Sequence, residues 1–137
     1  MKKYNFIYLA LVSVVLIFAC TKEEEKSERF KILTGQIWTS DSLLVDGQDA
    51  SGPGGLLEKM AGDAEFRPDG TGYFGQYIGT WYFTNNETEI TIRSDSLAFP
   101  LTSQIVELTW QSFKITTSFP SGTQGVNLAI RITFIPK

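Results

Sequence analysis

Beyond about residue 30, apolar and polar residues alternate with a period of two between turn signals, the mark of half-buried antiparallel strands. The last segment is the clearest: Val126, Leu128, Ile130, Ile132 and Phe134 share one face, and Asn127, Ala129, Arg131 and Thr133 share the other. Ile90 and Ile92 alternate with Glu89, Thr91 and Arg93, Trp81 with Phe83 shows the same spacing, and Asn85-Asn86 between them supplies a turn. The pattern predicts strands over 36–45, 63–67, 71–77, 79–85, 88–94, 97–101, 104–110, 113–119 and 126–135. The links Pro68-Asp69-Gly70, Asn85-Asn86, Ser94-Asp95-Ser96 and Ser121-Gly122-Thr123 are short, so sequential strands pair in an up-and-down meander. Closing that sheet removes its exposed edges, so the expected fold is a small all-β antiparallel barrel of about eight strands. The apolar phase slips between Val106, Leu108, Trp110 and Phe113, Ile115, which calls for a turn or bulge near Gln111-Ser112. Residues 46–55 read as a loop by their Gly, Asp and Pro content, and Leu56–Ala61 as one or two helical turns ended by Gly62. That stretch is either a lid over one end of the barrel or a plain connector.

The chain start obeys a different rule. Lys2 and Lys3 precede an almost wholly apolar run from Phe6 to Phe18, and small Ala19 precedes Cys20. Thirteen apolar residues are the length of a secretory signal core and fall short of the roughly 20 that a spanning helix needs. The charge-rich stretch Lys22-Glu23-Glu24-Glu25-Lys26 then reads as a solvated tether.

Composition removes whole classes of chemistry. The chain has no histidine and one cysteine, so zinc sites, disulfides, Cys-His pairs and Ser-His-Asp triads cannot be assembled within it. Its net charge of −3 becomes more negative once Lys2 and Lys3 are cut away, which argues against nucleic acid as a partner. Gly52-Pro53-Gly54-Gly55 lacks the Gly-Lys-Ser/Thr ending of a phosphate loop. Asp63, Glu65 and Asp69 do not have calcium-loop spacing, and Asp69 is accounted for by its Pro-Asp-Gly turn. No metal, no cofactor and no enzymatic activity are expected.

Several short motifs carry resemblances. Ile17-Phe18-Ala19-Cys20 resembles a lipobox, which implies cleavage after Ala19 and acylation of Cys20 by fatty chains such as palmitate. The chain then divides into a signal peptide over 1–19, a lipidated cysteine and acidic flexible tether over 20–30, and a barrel domain over 31–137. Two or three acyl chains give stable anchoring, where one is marginal. Thr21 is not the Asp of inner-membrane retention, and the Lys-then-acidic run resembles the export signal of Bacteroidetes-type lipoproteins, so an outer-membrane protein facing the cell exterior is implied. Leu33-Thr34-Gly35-Gln36-Ile37-Trp38 resembles the opening motif of the lipocalin-like domains of that lipoprotein group. Phe66-Arg67-Pro68-Asp69-Gly70-Thr71 is similar to their Phe-x-x-Asp-Gly-Thr hairpin, and Gly79-Thr80-Trp81 and Ile105–Thr109 to later positions. The likeness spans most of residues 33–118 and implies a calycin-type barrel that is either filled or holds one small apolar ligand.

Tyr73, Trp81 and Phe83 are the candidate lining of such a pocket, with Trp38 expected to close the barrel bottom and Trp110 a further aromatic; core packing is the alternative for all of them. Asp41-Ser42-Leu43 and Asp95-Ser96-Leu97 resemble the Asp-Ser-apolar pattern of O-glycosylation in the same bacterial group, Ser96 in an expected turn and Ser42 in a strand. Two functions stay open. One is a membrane-anchored carrier of a small hydrophobic or amphipathic ligand. The other is a non-enzymatic interaction protein with a packed barrel that engages another surface protein or glycan system.

Overall fold

In the computed structural model the described residues are 24–122 and 124–137. Cys20, the expected cleavage site and the expected signal segment lie outside them. Eight antiparallel strands close into a barrel, in chain order β1 (Ile37–Val45), β3 (Asp63–Phe66), β4 (Thr71–Phe74), β5 (Tyr77–Thr84), β6 (Glu89–Ser94), β7 (Leu101–Leu108), β8 (Phe113–Pro120) and β9 (Asn127–Pro136). Each strand pairs with the next, and β9 returns to β1 from Trp38–Pro136 to Val45–Ile130, which leaves no free edge on that side. The two-residue β2 (Gln48–Asp49) folds back on the end of β1 through Asp46-Gly47, both at positive φ, the primed turn that matches strand twist.

The expected strands form with small shifts and one merger. The stretch predicted as strands 97–101 and 104–110 is a loop over 95–100 followed by the single strand β7. Pro100 offers no N–H to a ladder, so the strand starts after it. The phase slip is a bulge inside β7, between Ile105 and Glu107, which turns Val106 out to solvent while Leu108 points in. The β7–β8 turn at 109–112 follows it.

One end of the barrel is closed by α1 (Glu28–Thr34), a helix with no counterpart among the expected elements; residues 28–30, assigned from sequence to the tether, are its first turn. Ser27 caps it by accepting from the Phe30 N–H at 3.1 Å. Ile32 and Leu33 bury their side chains under it. The Trp38 indole donates to the Leu33 carbonyl at 3.1 Å, satisfying an acceptor that the helix end leaves over. Trp38, expected at the barrel bottom, is fully buried, with its ring 5.7 Å from that of Phe113 and tilted 54° to it.

The segment 46–62 is a piece of wall. The short β3 pairs only with residues 37–39 of β1 and leaves the upper half of β1 without a neighbour on that side. The segment fills the gap: Ala50 N–H donates to Leu43, Ser40 N–H to Gly62, and Gln76 N–H to Lys59. Its 3-10 turn (Glu58–Met60) buries Met60, and Leu57 beside it is buried as well.

Candidate functional site

The inward residues of the strands meet in one apolar cluster. At the closed end it is a set of touching rings, with Phe66 5.0 Å from Phe74 and 5.7 Å from both Trp81 and Phe113, and Phe113 5.5 Å from Phe134. Pairs at these separations stabilise by about 0.5–1.5 kcal/mol beyond the area they bury.

The three predicted pocket residues do not share one cavity. Trp81 points inward and is 4 % exposed, its indole N–H held by the Arg67 carbonyl at 3.0 Å. Phe83, two residues on, is half-buried and meets Trp81 edge-on at 5.4 Å. Both line a shallow groove of about 190 Å³ beside Phe30 of α1, below the size of ordinary small-molecule sites. Tyr73 lies on the outer face: its neighbours Gly72 and Phe74 are buried, Glu65 stands opposite it on β3, and the Arg67 guanidinium sits 5.9 Å from its ring. A Gly at 72 takes the inward position that the aromatic periodicity suggested for Tyr73.

The other end of the barrel carries the connections 46–62, 75–76, 95–100 and 121–126. Three of them present a large apolar side chain to solvent, Leu56, Phe99 and Val126, and Ile78 at the start of β5 adds a fourth, between 48 % and 76 % exposed. Beside Ile78 and Phe99 runs an open groove of about 520 Å³, walled by Gly79, Leu97 and Pro100 with Arg93 and Asp95 at its polar side. Phe99 stacks on Phe119 of β8 at 5.1 Å, which holds its ring at the rim. Gly79 is required there, since a Cβ would come 1.8 Å from the Arg93 carbonyl across the β5–β6 pair. These rim residues escaped the sequence reading. The signal that was available is Ile78, out of phase with the inward Tyr77, Trp81 and Phe83.

The side wall is a different surface. Its outward positions carry Glu65, Glu89, Arg93, Gln104, Glu107, Lys114 and Arg131, and of the exposed large apolar residues Tyr82 and Val106 lie along it, with Ile37 and Ile135 at its closed end and Ile78 at its rim end. Tyr82 is covered by Arg93, whose guanidinium lies 5.4 Å above its ring. A barrel that faces lipid has an apolar outer band, the reverse of this arrangement. No described helix is long and apolar enough to cross a membrane.

The carboxylates are engaged locally. Asp63 pairs with Lys137 and Glu65 with Arg67, and Asp69 accepts from the hydroxyl and amide of Thr71. The Lys137 ammonium holds the Asp63 carboxyl below its ordinary range, and the Thr71 hydroxyl does the same for Asp69. Among the described residues no three potential metal ligands gather. Ser96 is exposed in the turn that opens the 95–100 loop, where sequence put it; Ser42 is half-buried on β1, paired with Thr133 beside a bulge that leaves Asp41 exposed. The two serines are far apart in the topology, one at the rim and one in the wall.

Comparison with protein-family models and with curated proteins finds no match. The closed eight-stranded antiparallel barrel with a helix across one end is consistent with the lipocalin-like architecture.

Proposed function

We propose that this protein is a lipid-anchored interaction module of the bacterial outer membrane, cut before Cys20, held there by acyl chains and displayed on the cell exterior. Its lipocalin-like barrel engages a partner protein through the rim opposite the tether. The observation that carries this reading is the distribution of exposed apolar side chains. Leu56, Phe99 and Val126 come from three of the rim connections and Ile78 from the rim end of β5, above a wall whose outward positions are mainly polar or charged. Exposed apolar groups clustered at one end of a polar-walled body mark an interaction surface. The barrel core contributes rigidity, not binding, and no catalytic role is assigned to any residue.

A second reading draws on the rim groove. Its volume of about 520 Å³ is in the range of small-molecule sites, and its mixture of Ile78, Phe99 and Pro100 with Arg93 and Asp95 suits an amphipathic ligand better than a wholly apolar one. Such a ligand lies at the rim, away from Trp81.

One experiment separates the two. The acylated protein is purified in mild detergent and its native mass recorded, and a parallel culture is cross-linked before lysis. A discrete protein partner that is lost in an Ile78→Asp, Phe99→Ser double variant supports the interaction module. A small adduct lost in the same variant supports the rim ligand. A partner or adduct that survives the double variant removes the rim from both readings. Because Ile78 and Phe99 are exposed, the variant is expected to fold with stability changed by about 0.5 kcal/mol or less at Ile78 and somewhat more at Phe99.

A further inference from the structure

We infer that the closed end of the barrel is seated on the bilayer, with the Trp110 indole entering the membrane interface. This rests on the reading that Cys20 is acylated. The chain reaches the barrel through α1, and α1 lies across the closed end: Ser27 and Arg29 bond to Glu87 in the β5–β6 turn, Phe30 packs on Trp81, and Leu33 receives the Trp38 indole. Ser27 lies seven positions after Cys20, a span of at most about 25 Å even when fully extended. Strands of eight residues are themselves roughly 27 Å long. The tether thus keeps the closed end within about 25 Å of the membrane surface, and the rim can lie a further strand length out.

That end carries the molecule's exposed tryptophan. Trp38 is 0 % and Trp81 4 % exposed, but Trp110, in the β7–β8 turn, is 45 % exposed. Its position is built. Thr109 N–H donates to the Ser112 carbonyl at 2.9 Å, and the Gln111 and Ser112 amides donate to the Thr109 hydroxyl. The Gln36 side-chain amide holds the Trp110 carbonyl at 3.1 Å. The indole lies against Gly35, where even a Cβ would come within 3.0 Å of the ring. Its exposure sets this ring apart from the two core tryptophans, and the face of the indole turned away from Gly35 presents apolar area to solvent. An indole's apolar body and N–H place it best at the boundary between headgroups and acyl chains.

Two further exposed apolar residues, Ile37 and Ile135, face outward on β1 and β9 at the same end. Lys31, half-exposed on α1 and 3.7 Å from the exposed Glu25 carboxylate, has a long stem whose methylenes can stay in the interface while the ammonium reaches the headgroup level. The bilayer thus covers the apolar residues of this end, and the acyl chains supply the affinity.

The acylated full-length protein, reconstituted into phosphatidylcholine vesicles with acyl chains brominated near the headgroup, tests this directly. Emission is compared with unbrominated vesicles, and co-flotation with the vesicles is recorded for the same sample. The expected result is flotation with quenching and a blue shift of the exposed component, both lost in Trp110→Phe, whose buried Trp38 and Trp81 remain fluorescent. Flotation with equal emission in the two kinds of vesicle overturns the seating of Trp110 and leaves the anchor standing. Absence of flotation overturns acylation, and the seating with it.

Discussion

The hydroxyl of Ser27 donates a 2.7 Å hydrogen bond to the carboxylate of Glu87, sixty positions later in the chain. The same hydroxyl caps α1 by accepting from Phe30, so one side chain joins the helix start to the β5–β6 turn. That turn is under strain. Asn85, Asn86 and Glu87 stand in sequence at φ of 51°, 55° and 63°, and only the two asparagines are residues that adopt the left-handed region readily. Glu87 is kept there by its two bonds to the helix segment, the second being the Arg29 Nε donating to its carbonyl at 3.0 Å. The closing helix and the strained turn therefore stabilise each other.

Glycine at 87 should be better tolerated than alanine. Both substitutions remove the bond to Ser27, but glycine also relieves a left-handed backbone cost of about 1–2 kcal/mol. Urea unfolding should place Glu87→Gly above Glu87→Ala by about 1 kcal/mol; equal midpoints would show that the turn stores no strain. Ser27→Ala, which removes cap and latch together, should cost about 1–2 kcal/mol.

Trp38→Phe should cost about 2–4 kcal/mol, because it leaves a void in the ring cluster and strips the Leu33 carbonyl of its donor. Trp110→Phe should leave stability within about 0.5 kcal/mol, since its ring is not part of the core. Urea midpoints of the two variants check the contrast. Similar losses for both would mean that Trp110 packs into the fold.

Gly79→Ala should open the β5–β6 ladder. The new methyl meets the Arg93 carbonyl, a backbone atom with no rotamer to retreat into, at a cost of about 2 kcal/mol or more. Amide exchange at Thr80, Arg93 and Ser94 should accelerate ahead of exchange in β8 and β9. Uniform acceleration over the barrel would instead indicate general destabilisation.

Stability should fall in acid through identifiable carboxylates. Asp63, held low by Lys137, Asp49 by Ser51, Asp69 by Thr71 and Glu107 by Lys114 all have folded pKa values below the ordinary ones. Depressed acids contribute stability that is complete above the unfolded values of 3.8 for Asp and 4.5 for Glu and is lost as pH drops through the lower folded ones. Lys137 is raised above 10.5 by Asp63, so its contribution is complete below that value and is lost as pH climbs through the higher folded one. Thermal melts from pH 2 to 12 should show both edges, small because these groups are exposed, and Asp63→Asn should flatten part of each. An alkaline edge unchanged in Asp63→Asn would remove Lys137 as its source.

The barrel was legible because β9, β6 and β5 repeat apolar residues at every second position with little interruption, and because the turns between them are short and polar. Trp38 was legible for a similar reason, as a tryptophan at the start of the first strand. What stayed hidden depends on partners distant in sequence. Seven residues of α1 show barely two helical turns, and the helix is stable because Phe30 meets Trp81 and Ser27 meets Glu87. Strand 97–101 was misread because Leu97, Phe99 and Leu101 alternate correctly, yet Pro100 sits among them and Phe99 finds its ring partner on β8. Tyr73 was misplaced because periodicity does not say which of two interleaved sets faces inward; here Gly72 and Phe74 do. The rim surface has no motif at all, since it is assembled from three connections and the start of β5.

The ladder between β1 and β9 joins Trp38 to Pro136 and runs on to Val45 and Ile130. A ring of this kind is completed by β9, and without it β1 and β8 each present an open edge. The domain thus has no stable N-terminal half: a chain still waiting for β9 keeps its aromatic cluster partly wet and its edges unpaired, the state most prone to pair with another chain. A truncation within β9 therefore opens the barrel on both sides of its seam, at β1 and at β8, instead of merely shortening one strand.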